Sequence, residues 1–248
     1  MITIDKLVKR HGGREVLHGV TLVARPGRVT GFVGPNGAGK SSTLRCLLGL
    51  DHADGGRALI GSRPYRDLAS PLRQVGAVLD GAGAHPTRTG RAHLTWVAAG
   101  AGIPRRRVGE VLEVVGLTEA ARRPVRTYSL GMGQRLGLAA ALLGDPEVLV
   151  LDEPVNGLDP EGIRWIRDLL RRRAEDGGTV LLSSHVLSEL AEVADDVVVI
   201  AGGRVRAAGT LSEVVAGYPS LEEAFFRLTE PGGATGAAPS GQRTGGRA

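Results

Sequence analysis

Val29-Thr30-Gly31-Phe32-Val33-Gly34-Pro35-Asn36-Gly37-Ala38-Gly39-Lys40-Ser41 joins a short apolar run to a glycine-rich turn that ends in a lysine and a hydroxyl. Gly34 to Ser41 fits the pattern G-x-x-x-x-G-K-[ST]. Each residue type has a reason. Glycines let successive backbone N–H groups curl inward toward phosphate oxygens. A helix starting at the lysine adds its positive N-terminal end. Lys40 can then reach the β- and γ-phosphates, and the Ser41 hydroxyl can ligate Mg²⁺. A chance match at this composition is expected on the order of 0.01 times. The context agrees, with a strand over 29–33 before the turn and helical spacing of Leu44, Leu47 and Leu48 after it.

The second half of such a site is legible further along. Val148-Leu149-Val150-Leu151-Asp152-Glu153-Pro154 is an apolar run closed by two carboxylates. Continuous apolar runs of this length mark central parallel strands. Ligand-binding groups in parallel sheets sit at the strands' C-terminal ends. Asp152 is therefore placed to hold Mg²⁺, directly or through water. Glu153 is placed to polarise an attacking water as a general base. Alone, this pair reads equally as loop carboxylates; beside the phosphate loop it reads as the other half of the site.

Outward from these two stretches the chain divides by texture. The first 30 or so residues alternate like strands around turns at Gly12-Gly13 and Pro26-Gly27. Residues 58–61 and 75–79 read as two further strands. Between about 81 and 145, Ala, Leu and Arg recur at helical spacing, broken by Pro86, Pro104 and Pro124. From Val148 strands and helices alternate: strand 148–151, helix 160–174, strand 179–183, helix 186–194, strand 197–200. Such alternation predicts a parallel sheet with right-handed crossovers. The expected fold is α/β: a P-loop NTPase core with a mainly parallel sheet, an N-terminal antiparallel β portion and an inserted α-helical portion at about 81–145, all within residues 1–230. Residues 231–248 contain no acidic and no large apolar residue, and predict a disordered tail.

Composition sets bounds on function. The chain has 248 residues, 42% of them hydrophobic and 23% charged, which is ordinary for a globular protein. Cys46 is its single cysteine, so neither a disulfide framework nor a cysteine metal cage is expected. No run approaches the ~18 apolar residues of a membrane helix. The longest candidate, 136–151, is cut by Gly144, Asp145 and Pro146. With no signal-like start, the expected place is the cytoplasm. The net charge is +5, yet only Lys6, Lys9 and Lys40 are lysines. This arginine bias, with abundant Gly and Ala, reads as GC-rich coding more than as a nucleic-acid footprint. Aromatic residues at 3% argue further against a base-stacking surface, and no nucleic-acid partner is expected.

Tyr128-Ser129-Leu130-Gly131-Met132-Gly133-Gln134-Arg135 lies just upstream of the Asp152 run, Gly157-Leu158-Asp159 just after it, and Ser183-Ser184-His185 ends the next strand. In this order the motifs resemble those of the ATP-binding subunits of ABC transporters, most nearly the bacterial drug- or multidrug-export type. The resemblance covers residues 1–230. It implies ATP and Mg²⁺ as cofactors, with Gly34 and residues Asn36, Gly37, Ala38, Gly39, Lys40, Ser41 and Ser42 around the triphosphate. It implies Mg²⁺ at Ser41 and Asp152, Glu153 activating water, and His185 on the γ-phosphate. Ser129 and Gly131 would cap a nucleotide held by a second copy or a homologous subunit, and Asp159 would lie at the same seam. The implied partner is a separate membrane permease, which places the chain at the inner face of the cell membrane. The alternative is a soluble or regulatory ATPase of the same type, uncoupled to a permease.

Three positions depart from that family's pattern. Asp80 stands where a glutamine usually touches Mg²⁺ and the attacking water; it can accept from a metal-bound water but donates no amide N–H. His11 stands where an aromatic residue usually stacks on adenine, and it reads equally as a surface turn residue. Leu130 replaces the first signature glycine and adds bulk beside the partner's phosphates. The groove between the Asp80 loop and the helical insertion is the expected permease docking surface.

Overall fold

Short runs of Val, Leu and Ile separated by glycine turns dictate strands, and longer Ala/Leu/Arg stretches dictate helices. The computed structural model of the chain describes residues 1–79 and 83–230. Asp80 and the 231–248 segment lie outside the described residues. Strands β1 (Ile2–His11) and β2 (Arg14–Ala24) form an antiparallel hairpin. Its turn residues Gly12 and Gly13 both have positive φ, 55° and 82°, a conformation open to glycine at no steric cost. β3 (Arg28–Val33) leads through the glycine loop into α1 (Lys40–Leu47). β4 (Gly55–Ile60) returns to pair antiparallel with β1, which completes a three-stranded sheet in the order β2-β1-β4.

The single-turn helix α2 (Pro71–Gln74) and strand β5 (Val75–Val78) follow. Three helices come next: α3 (Gly90–Gly100), α4 (Arg106–Val114) and α5 (Leu130–Leu142). The remainder alternates as β6 (Val148–Asp152), α6 (Pro160–Glu175), β7 (Thr179–Ser183), α7 (Leu187–Ala191), β8 (Asp196–Ala201), β9 (Arg204–Thr210), α8 (Leu211–Val214) and α9 (Leu221–Thr229). The second sheet has the order β5-β6-β7-β3-β8-β9. Every neighbouring pair in it is parallel except β8–β9, which is antiparallel. The fold is thus α/β, a mixed sheet with a mainly parallel core beside an antiparallel sheet.

Both faces of the inner strands β6, β7, β3 and β8 are buried, which explains why they read as apolar runs. Val148 and Val150 of β6, Leu181 of β7 and Val198 and Ile200 of β8 point to one core, shared with the antiparallel sheet and α1. Leu149 and Leu151, Val180 and Leu182, and Val197 and Val199 point to the other, shared with the remaining helices. Full burial of each such side chain contributes roughly 1.5–3 kcal/mol. The helix α5 joins the helical stretch to the sheet. A Cβ on Gly76 of β5 would lie 2.2 Å from the Ala141 carbonyl oxygen, so only glycine lets the end of α5 approach this strand.

The structure departs from the sequence expectations in two places. The helix expected over 186–194 is confined to α7, five residues long. β9, α8 and α9 had no counterpart in the pattern reading. β9 is an edge strand with Arg204 exposed and the rest, Arg206 included, half-buried, so it carries no apolar alternation.

Candidate active site

The topology sets the C-terminal ends of β5, β6, β7 and β3 side by side. Register fixes their depth: Asp152 pairs with Ser183, and Ser183 with Phe32, so the two carboxylates emerge level with the start of the glycine loop. A cleft of about 630 Å³ lies over these ends. Asn36 through Ser42 line it from one side, and Asp152 and Glu153 from the other.

The loop itself is built around its glycines. Gly37 and Gly39 have φ of 77° and 107°. A Cβ on Gly34 would lie 2.3 Å from the Ile200 carbonyl oxygen, so the loop is seated directly on β8. Gly203 N–H donates to the Ala38 carbonyl at 3.1 Å and pins the loop from the β8–β9 turn. Lys40 is buried, and its Nζ donates to the Gly34 carbonyl at 2.6 Å. Gly39 precedes α1 as its N-cap residue, so the helix has no side-chain cap, and it has no acidic residue in its first turn. By contrast, Thr89, Ser129, Asp159, Thr210 and Ser220 each cap their own helix through a side-chain oxygen. The first N–H groups and the positive end of α1 therefore face the cleft. This arrangement fits an anionic phosphate group.

Opposite, Ser41 Oγ donates to Asp152 Oδ2 at 2.7 Å, and Ser183 Oγ donates to Asp152 Oδ1. Glu153 N–H donates to the Ser183 hydroxyl (3.1 Å) and to the Ser183 carbonyl (3.2 Å). Glu153 has φ of 51°, a left-handed conformation uncommon for a residue with a side chain. Such strained residues persist where the surroundings over-determine them. Here the carbonyl of Glu153 is gripped as well, accepting from Asn156 N–H (3.2 Å) and Gln134 Nε2 (3.4 Å). The Glu153 carboxylate accepts the His185 backbone N–H at 3.1 Å, and His185 Nδ1 lies 2.7 Å from the same oxygen. His185 therefore sits on the carboxylate of Glu153 and approaches the cleft through it.

The remaining expected residues lie elsewhere. Ser129 caps α5, accepting the Met132 N–H at 3.2 Å. Asp159 caps α6, accepting the Gly162 N–H at 2.8 Å. Neither they nor Gly131 nor His11 lines the cleft. The signature segment and the 157–159 turn touch one another. A Cβ on Gly157 would lie 2.4 Å from Leu130 Cγ, and one on Gly131 would lie 2.7 Å from the Gly157 carbonyl. Leu130 is 73% exposed and reaches the cleft rim. Sequence reasoning missed Val16, Leu79, Gln134 and Asn156 among the cleft residues, and Ser183 as the link between Asp152 and Glu153. The strand-end position of Ser183, level with Asp152, was the available signal.

The model of a family described as ABC transporter matches residues 17–156, more than half of the chain. This chain belongs to the ABC transporter family. The lantibiotic transport ATP-binding protein SrtF of Streptococcus pyogenes is 35% identical over 91% of this chain and 96% of its own length. The bacitracin transport ATP-binding protein BcrA of Enterococcus faecalis is 37% identical over 86% of this chain and 70% of its own. Among solved structures, one described as the ATP binding subunit of an ABC transporter superposes with a TM-score of 0.83 at 28% identity, covering 92% of this chain and 99% of that one.

Proposed function

We propose that this ABC-family chain binds and hydrolyses ATP and thereby energises export through a separate membrane permease. The observation that carries the reading is the cleft itself, in which an uncapped helix end and Lys40 face Asp152 and the Glu153 carboxylate that His185 contacts. The related transport proteins support the export reading over an uncoupled or regulatory ATPase. Among the described residues, no helix is long and apolar enough to cross a membrane. In this reading the chain sits at the cytoplasmic face of the membrane, and its partner provides the passage.

The residues divide the work. The loop N–H groups from Asn36 to Ser42 and Lys40 bind the triphosphate and offset its charge. Ser41 and Asp152 offer adjacent hard oxygens, the donor type and number that suit Mg²⁺. When bound, that ion draws charge from the phosphates and orients them. Glu153 accepts a proton from the attacking water, and His185 orients the carboxylate through its backbone N–H and ring. Asp80 follows β5, and its part at the metal or water rests on its place in sequence alone. His11 ends β1 at the hairpin turn, while Val16 of β2 lines the cleft and offers an apolar surface to the base in this reading.

A second copy, or a homologous subunit, completes the site. Ser129 at the start of α5 and Asp159 at the start of α6 are exposed, and in this reading they and the backbone at Gly131 cap the partner's nucleotide. The test is phosphate release by the purified chain, with size-exclusion chromatography of the wild type and Glu153→Gln in Mg-ATP. The expected results are hydrolysis by the first and an ATP-dependent dimer of the second. A chain that neither hydrolyses ATP nor dimerises with it overturns the proposal.

A further inference from the structure

α3 carries two distinct faces. Leu94 and Ala98 are fully buried in the helical core. Arg91, Ala92, Thr95, Trp96 and Ala99 lie on the other side, at one-turn spacings. Trp96 is 64% exposed, far more than a ring of that size usually is in a well-packed fold. The Arg88 guanidinium lies 5.0 Å from its ring centroid and fixes one face of the indole. Arg91, Arg105, Arg106 and Arg122 surround the same patch. Among the described residues no carboxylate lines it, although Arg106 pairs with Glu110 at 4.0 Å. Among the described residues, the side chains of Arg91, Arg105 and Arg122 have no hydrogen-bond or ion-pair partner.

We propose that this patch is a binding site for phosphate-bearing lipid headgroups at an anionic membrane surface, with Trp96 seated at the interface and the arginines on the phosphates. Guanidinium groups match phosphate oxygens in geometry and charge. Indole is the side chain that prefers the boundary between apolar and wet surroundings. The shape selects lipid over an acidic peptide helix. The patch is an open depression of about 850 Å³, but apart from Trp96 its apolar side chains are only Ala92, Ala99 and Val108, the last already 1% exposed, whereas a docked helix needs apolar pockets for its own anchors. The inference extends the peripheral placement proposed above and is independent of ATP turnover, so an ATPase assay of the same preparation scores the two readings separately.

The experiment uses the full chain, sedimented with vesicles of phosphatidylcholine alone or mixed with phosphatidylglycerol. A Trp165→Phe form isolates Trp96 emission. Expected are binding to the mixed vesicles only, a blue shift of Trp96 emission, and loss of both in high salt. Arg105→Ala with Arg122→Ala should weaken partition about 25-fold, at about fivefold per basic residue. Trp96→Ala should weaken it while leaving ATPase activity in solution unchanged. Equal binding to neutral vesicles, no binding, or indifference to these substitutions overturns the proposal. So does an equal emission shift with free glycerol phosphate, which would mark a phosphate site without a membrane. Displacement from vesicles by polyglutamate at matched ionic strength would assign the patch to an acidic protein segment and overturn it as well.

Discussion

Changing Glu153 to glutamine separates chemistry from architecture, because the structure shows what the substitution keeps. The carbonyl of Glu153 still accepts from Asn156 and Gln134, and its N–H still donates to Ser183. The new amide oxygen still accepts the His185 N–H. Only the charge is lost. A charge-assisted bond worth about 1.5–3 kcal/mol becomes a neutral one worth about 0.5–1.5, a difference of about 1 kcal/mol. For a chain of this size that lowers the melting temperature by about 2–4 °C. Removing a general base costs about 10²–10⁴-fold in turnover, or about 2.7–5.5 kcal/mol of activation free energy. The kinetic loss must therefore far exceed the stability loss. Steady-state phosphate release gives the first quantity, thermal denaturation the second, and calorimetric ATP titration shows whether binding survives. His185→Ala provides the cross-check. If His185 acts through the Glu153 carboxylate, it adds little to Glu153→Gln in the double variant. Turnover falling less than tenfold, or falling only as far as ATP affinity falls, would refute the general-base assignment.

Gly34→Ala places a methyl group 2.3 Å from the Ile200 carbonyl; it should destabilise the fold by about 1–3 kcal/mol and weaken ATP affinity at least about tenfold as the loop lifts, read by urea denaturation and titration. Arg107 donates to the last carbonyls of α5, Leu142 O at 3.1 Å and Leu143 O at 3.3 Å; Arg107→Ala should cost about 1–2 kcal/mol, measured as a lower urea midpoint with an unchanged slope. Burial, reinforced by the positive charge of Arg88, holds the His93 ring below the usual imidazole range. The unfolded chain then takes up a proton at His93 that the native chain refuses, so this contribution is intact above about pH 6.5 and declines as pH falls toward the native value. His93→Leu should flatten the stability profile below about pH 6.5; an unchanged slope there would remove His93 as its source.

The sheet core was readable because burial on both faces leaves an unmistakable trace, as in Val148 to Leu151 and Val197 to Ile200. The glycine loop and the Asp152-Glu153 pair were readable because phosphate chemistry restricts residue type at fixed spacing. β9 was opaque because an edge strand needs no alternation, and Arg204 and Arg206 hide it. The wall of the cleft was opaque for another reason. Val16, Leu79, Gln134 and Asn156 come from four separate segments and meet only through the order of the strands. The grip of His185 on Glu153 depends on a left-handed φ at a glutamate, which nothing in its local sequence announces.

The seating of α5 on β5 has a mechanical result. The helix has 13 residues, so it extends about 20 Å from Ser129 to the carbonyl that Gly76 admits. Its far end is fixed against the sheet while its near end rises among the inserted helices. Each degree of tilt about the fixed end sweeps Ser129 through about 0.35 Å. Because Leu130 and Gly131 bear on the Gly157 turn, which follows Glu153 by four residues, a small tilt of the inserted helices would be felt in the backbone that carries the Glu153 carboxylate.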